Sequence, residues 1–203
     1  MEAAMETKKV DRRVRKTRKQ LRDGLARLMG KKSIRDIKVK ELVEEVDINR
    51  STFYLHYADI YDMLCKIEEE LIQEIEEALQ QYPLGDEHKS RKFLCRMFEI
   101  MTENREIYKA LCGQNGDTNF VVRLENLVAA EALRSLAPLF RQMSKRELSF
   151  LYAYCLNGCV GIVKMWLIYD GKETPEEMAG ILVRMVANCL REYHTDPKGQ
   201  ATS

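Results

Sequence analysis

The residues best suited to chemistry lie in the first third of the chain. Lys8, Lys9, Arg12, Arg13, Arg15, Lys16, Arg18 and Lys19 crowd into twelve positions, and further on comes Asn49-Arg50-Ser51-Thr52-Phe53-Tyr54-Leu55-His56-Tyr57. A helix through Arg50–Tyr57 turns Phe53 and Tyr57, at i and i+4, to one face. Its other face is Arg50, Ser51, Thr52, Tyr54 and Leu55: a guanidinium, two hydroxyls, one aromatic ring and one apolar side chain. Short polar groups and an arginine suit close approach to base edges and phosphates. A basic stretch alone reads most simply as a solvated helix face. Beside a helix of this composition it points to DNA.

The remaining reactive residues form no constellation. His56, His88 and His194 belong to no HExxH, and the chain has neither a Gly-rich phosphate loop nor a nucleophile motif, so catalysis is not expected. Cys155 and Cys159, at i and i+4, could hold a metal or sense an oxidant. No histidine accompanies them, and Cys65, Cys95 and Cys189 lack ligand spacing. Small packing residues are the favoured reading, and no metal or cofactor is expected.

The elements that must position these residues read at the helical period, with no alternating run to mark a strand. Val14, Leu21, Leu25 and Leu28 form the stripe of a first helix, Lys9–Met29, stopped by Gly30. A second helix, Val39–Val46, leads through the turn Asp47-Ile48-Asn49 into a third, Arg50–Tyr57, with Asn49 as N-cap. Together they have the shape of a helix-turn-helix. Eight residues cannot hold a helix alone, so Phe53 and Tyr57 are expected to pack on Leu25, Leu42 and Val46. Asp59 caps a fourth helix with Asp62 in its first turn, and Pro83-Leu84-Gly85 closes it.

Beyond lie a helix around Phe93–Met101, a short one capped by Asn104 and ending at Leu111, and one through Phe120, Leu124 and Val128 that Pro138 kinks or ends. Ser144-x-x-Glu147 is a capping box opening an apolar helix, which Gly171 stops. Thr174-Pro175-Glu176-Glu177 opens the last, running to about Tyr193 before a frayed tail. The expected fold is all-α: a three-helix helix-turn-helix domain, residues 1–60, joined by a continuous helix to a helical regulatory and dimerisation domain, residues 61–203.

Charge follows this division. The whole chain of 203 residues has 33 Lys+Arg against 32 Asp+Glu, a net of +1, which by itself argues against a polyanion partner. Residues 1–60 hold sixteen basic and ten acidic residues, whereas 61–203 hold seventeen and twenty-two. A basic domain is cancelled by an acidic one. Phe150–Tyr169 is long enough to span a bilayer, but Asn157 and Lys164 interrupt it and polar helices flank it. It reads instead as a helix buried at a subunit interface. The N-terminus lacks the apolar stretch of a secretory signal, so a cytoplasmic protein with reduced thiols is expected.

The run DIKVKELVEEVDINRSTFYLHYADIYDML resembles the DNA-binding signature of TetR-type transcriptional regulators, carried by Asn49-Arg50-Ser51-Thr52-Phe53-Tyr54 with His56-Tyr57. ENREIYKALCGQNGD and GIVKMWLIYDGKETPEEMA are similar to the ligand domain of a subgroup that includes a regulator of dihydroxyacetone-kinase operons. The resemblance implies base and phosphate contacts from Arg50, Ser51 and Thr52, backbone contacts from Tyr54 and His56, and phosphate proximity for Lys38 and Lys40. Lys16 joins them from the basic helix. Arg50 could otherwise pair with Asp47 or Glu45, Tyr54 could pack in the core, and His56 could fix the helix end. The chain departs from the family pattern at Ile60, where a lysine is frequent, at Ala58 and Leu55, and at Lys38, which replaces a Ser or Thr cap.

For the C-terminal part the resemblance implies a four-helix dimer interface from the last two helices. Cys155, Gly158, Cys159 and Ile162 offer close approach, and Trp166 anchors the edge. A dimer also suits DNA, because two half-sites supply the specificity one short helix lacks. The implied effector pocket falls on Met97, Phe98, Met101, Tyr108 and Phe120, residues that equally suit an ordinary core. The expected protein is a homodimeric regulator of double-stranded operator DNA, controlled by a small-molecule effector or by a partner protein, with no membrane involved.

Overall fold

The structure, a computed structural model, describes residues 2–136, 140 and 143–191, with side chains from residue 12 onward except that of Leu136. The helices are α1 Glu2–Met29, α2 Val39–Glu45, α3 Arg50–Tyr54, α4 Ile60–Gln81, α5 Glu87–Glu103, α6 Arg105–Cys112, α7 Thr118–Leu136, α8 Lys145–Ile168 and α9 Pro175–Leu190. A 3-10 turn covers Ile34–Asp36, and no strand occurs among the described residues. The all-α expectation holds. Pro138, the end of the last helix at Tyr193 and the tail with His194 lie outside the described residues.

The local signals act as their chemistry requires. Ser144 and Thr174 each accept from the backbone N–H three residues on, and Glu147 and Glu177 reach back to the cap N–H. Asn49 Oδ1 accepts from the Ser51 N–H at 3.1 Å. Asp59 Oδ1 accepts from the Asp62 N–H at 2.8 Å, while Asp62 Oδ2 accepts from the Ala58 N–H at 2.9 Å, so two acids cap α4 reciprocally.

Two expectations are corrected by tertiary demands. α3 stops at Tyr54 instead of Tyr57, because the chain leaves it through a turn whose His56 and Tyr57 N–H groups both donate to the Phe53 carbonyl. That turn delivers Ala58 and Asp59 to the start of α4. Asn104 precedes α6 without capping it through its side chain, since Oδ1 accepts from Arg22 Nη1 at 2.7 Å.

The chain forms two compact units, and their division differs from a split at residue 60. The first runs to Leu71 and takes back Asn104–Phe120; the second comprises Ile72–Glu103 and the chain from Val121 onward. α6 belongs with α1 for a physical reason: Arg22 bonds Asn104, and Asn115 Nδ2 donates to the Met29 carbonyl at 3.3 Å. The core of the first unit buries Leu21, Leu25 and Met29 of α1, Leu42 and Phe53 of the helix-turn-helix, Tyr57, Met63 and Ile67, and Tyr108 and Leu111 of α6.

In the second unit, α5 packs along α9, burying Phe93, Met97, Phe98 and Met101 together with Met178, Ala179, Leu182 and Val183. α8 adds Trp166 and Leu167. The Trp166 ring meets Phe98 edge-on at 5.1 Å, and its Nε1 donates to the Glu173 carbonyl at 3.3 Å. Asp170 turns left-handed at φ 51° to end α8, and a β-carbon on Gly171 would lie 2.3 Å from Trp166 Cδ1. The glycine lets the chain fold back over the indole.

Candidate nucleic-acid interface

α3 has only five residues, far below what is stable alone, so its placement comes from what it buries. Phe53 is fully buried and Tyr57 nearly so, their rings 5.6 Å apart. Tyr54 meets Phe53 edge-on at 5.4 Å yet stays 57% exposed, and Leu55 is 80% exposed. Beneath them α2 lies directly on α1. A β-carbon on Gly24 would sit 2.3 Å from Val46 Cγ1 and 3.1 Å from Leu42 Cδ1, so only glycine permits the approach. The turn between α2 and α3 needs Asp47 in a left-handed conformation, φ 53°, which a short polar side chain tolerates.

The outward face carries most of the expected residues. Arg50 is exposed, and among the described residues no carboxylate pairs with it; Glu45 is occupied by Arg27 at 2.7 Å. Ser51 is exposed but its hydroxyl donates to Asn49 Oδ1 at 3.2 Å, and Thr52 is half-buried. Lys38 is exposed and caps α2 without a side-chain bond. Lys40 is exposed and pairs loosely with Glu44 at 3.8 Å, an arrangement worth little in water.

The basic stretch divides into two kinds of residue. Arg12, Arg13, Lys16 and Lys19 are exposed. Arg18 turns inward to Glu70 and to the Tyr57 hydroxyl, and Arg22 bonds Glu70 at 2.6 Å besides Asn104. These two fasten α1 to α4 and α6. The side chains of Lys8 and Lys9 lie outside the described residues.

His56 is half-buried, and burial together with the nearby Arg18 charge lowers its pKa. At neutral pH it is an uncharged imidazole, able to donate one N–H to a phosphate but not to add a charge. Ile60, where the chain departs from the resembled pattern, is buried at the start of α4. Lys66, one turn and a half on, is held by Asp62 at 2.8 Å and lies 5.7 Å from the centre of the Tyr57 ring. Sequence reasoning missed Gly24 and the Arg18–Arg22–Glu70–Asn104 cluster. A glycine inside a helical stripe was the available signal for the first; the second is long-range.

The residues expected to line an effector pocket are all buried, but they belong to two units. Met97, Phe98 and Met101 lie in the second, while Tyr108 and Phe120 lie together in the first with rings 6.0 Å apart. The second unit also carries an open cleft of about 420 Å³ between α5 and α9, lined by Arg91, Glu173, Glu176, Gly180 and Arg184. Cys95 lies beside Glu99 and Glu176, with their ligand atoms within 4.8 Å of one another. Burial and the two carboxylates push its thiol up.

The residues expected at a dimer interface fall on different faces of α8. Trp166 is in the core of its own unit, and Cys155 faces Cys189 of α9. Gly158 is exposed. With Phe150, Tyr154, Gly161, Met165 and Ile168 it forms one exposed stripe at helical spacing, and Met185 of α9 is exposed too. A β-carbon on Gly158 or Gly161 would meet nothing within 4 Å among the described residues. Among the described residues α8 is the one helix long and apolar enough to cross a membrane by length and composition.

A five-residue helix with a buried aromatic and an exposed Arg-Ser-x-x-Tyr face, set in an all-α chain, defines a helix-turn-helix protein. Residues 88–188, about half the chain, match the family model described as "Transcriptional regulator C-terminal region" (TetR_C_8). Several solved structures share the fold. The dihydroxyacetone kinase operon activator DhaS is 15% identical at a TM-score of 0.56, covering 88% of this chain and 98% of that one. The fatty acid degradation regulator FadR from Bacillus halodurans is 13% identical at 0.62, covering 88% and 97%. A TetR transcriptional regulator from Streptococcus agalactiae 2603V is 20% identical at 0.55, covering 90% and 98%. A comparison with curated proteins found no match. The chain belongs to the TetR family of transcriptional regulators and is not an enzyme.

Proposed function

We propose that this regulator binds operator DNA sequence-specifically as a homodimer, and that a small-molecule effector in its helical C-terminal part modulates that binding. The observation that carries the reading is the outward face of α3. Arg50 is uncommitted among the described residues, Tyr54 is exposed, and Phe53 beneath holds both outward. Arg50 is the base-reading residue, since a guanidinium matches the O6 and N7 edge of guanine. Lys16, Lys38 and Lys40 supply phosphate contacts.

So short a helix reads few base pairs, and a second copy on a second half-site supplies the rest. The exposed stripe of α8 supports self-association, because a soluble protein rarely leaves such a face open. Gly158 and Gly161 have no packing reason among the described residues, and they leave room for a helix of the partner. For the effector, Met97 and Met101 beside Phe98 are the core residues best able to repack around an apolar guest.

Selection of bound duplexes from a random pool with the full-length protein tests the DNA reading. On the selected site, Arg50→Ala is expected to remove about 1–3 kcal/mol of base discrimination, whereas Lys16→Ala weakens all sequences alike and lowers the salt slope by about one. Unchanged affinity and salt dependence in both variants exclude docking through α3.

A further inference from the structure

Cys155 of α8 and Cys189 in the last turn of α9 face each other, and the Cys155 S–H donates to Cys189 Sγ across 3.7 Å. Both are half-buried, within reach of a small solute and shielded from a large one. Cys159 also lies close enough to raise the Cys155 thiol, but the Cys155 S–H bond runs to Cys189. Cys65 and Cys95 face carboxylates instead, Glu69 and Glu99, each at 3.7 Å. Cys159 lies one turn beyond Cys155 on the same helix. The Leu151–Cys155 side of α8 is turned inward, so the sulfurs meet away from the exposed stripe of Phe150, Tyr154 and Gly158.

We propose that Cys155 and Cys189 are a modification site, a dithiol that closes to an intrachain disulfide when it meets a low-molecular-weight disulfide of the glutathione class. The sulfurs must approach by less than about 2 Å, which side-chain rotation and the end of α9 can supply. Cys189 acts first, as the sulfur that accepts the hydrogen bond. Its thiolate attacks one sulfur of the small disulfide, forming a mixed disulfide and releasing one small thiol. Cys155 then loses its proton to solvent, attacks Cys189 Sγ and displaces the second small thiol. Two protein thiols are oxidised and one small disulfide is reduced to two thiols. Burial, together with the S–H donated to Cys189, pushes the Cys155 thiol up to about 12, so Cys155 stays protonated and is not the thiol that opens the reaction. The new bond staples the middle of α8 to α9. Without it, α8 is anchored in its unit by Trp166 and Leu167 near one end and by the Tyr152 hydroxyl on the Ala132 carbonyl at 3.2 Å.

The test uses the reduced full-length protein under native conditions with oxidised glutathione, digested without reductant and mapped by mass spectrometry. The expected product is a linked peptide pair containing residues 155 and 189, with the intact mass lower by about 2 Da. A rise in melting temperature of more than about 3 °C, reversed by reductant, accompanies it. Cys159→Ser retains the product, and Cys155→Ala and Cys189→Ala each abolish it. A map showing glutathione only on Cys65 or other thiols, or a Cys155–Cys159 bond in place of Cys155–Cys189, overturns the proposal. The wild-type map decides the matter even if a variant folds poorly.

Discussion

α3 and α8 expose opposite chemistry. α3 keeps Phe53 inside and presents Arg50, Ser51 and Tyr54 to water, whereas α8 buries Leu151, Trp166 and Leu167 and leaves Phe150 at 62% and Tyr154 at 73% exposure. A polar, cationic face is at no cost in water until phosphate displaces it, and its gain on binding is electrostatic and salt-sensitive. An apolar face is unfavourable in water all the time, and its gain is insensitive to salt. Under the proposed function the two surfaces serve different partners, nucleic acid for one and protein for the other.

The strongest way to break this comparison is to remove the anchor under the polar face. Phe53→Ala is expected to cost about 3–5 kcal/mol in chemical denaturation and to abolish DNA binding, because α3 has no other deep contact. If DNA binding survives, α3 is not positioned as described. Next comes the apolar face. Gly158→Leu with Tyr154→Asp is expected to weaken self-association at least ~100-fold, about 2.7 kcal/mol, in sedimentation equilibrium. Because nothing among the described residues lies within 4 Å of a β-carbon at Gly158, the monomer is expected to melt as before. A smaller effect belongs to the α1–α2 contact. Gly24→Val is expected to lose about 1–3 kcal/mol, since the backbone must part to admit the side chain.

The smallest effect concerns pH. His56 has a folded pKa below its unfolded value, so the folded state binds fewer protons as pH falls through that window. Stability is therefore unaffected above the unfolded value near 6.5 and declines as pH drops below it. His56→Gln is expected to flatten the acid side of the melting profile between pH 7 and pH 5. A profile that falls equally in both proteins removes His56 as the cause.

Much of this was legible in sequence where the determinant was local. The Asn49 cap, the boxes at Ser144 and Thr174 and the inward Phe53 each depend on residues within one helical turn. Where a residue had a distant alternative, the sequence misled. Asn104 reads as a cap until Arg22 claims its oxygen, and Trp166 reads as an interface anchor until Phe98 and the Glu173 carbonyl enclose it. Arg18 reads as one more surface cation, although Glu70 and Tyr57 take it inward. The length of α3 belongs to the same group, because the cap of α4 sets where α3 must end. The effector-pocket candidates are all buried, and periodicity could say nothing of which core each one joins.

The return of α6 to α1 bears on modularity. Regulators of this kind invite chimeras in which the N-terminal segment is grafted onto a foreign sensor, with the junction drawn after the helix-turn-helix. Here such a graft would carry away only part of a folding unit. Arg22 would lose Asn104, the Met29 carbonyl would lose Asn115, and Leu21, Leu25 and Met29 would lose the neighbouring helix that closes their core. The transplantable cassette is discontinuous in sequence, and recombination that respects it must move residues 104–120 along with the reader of DNA.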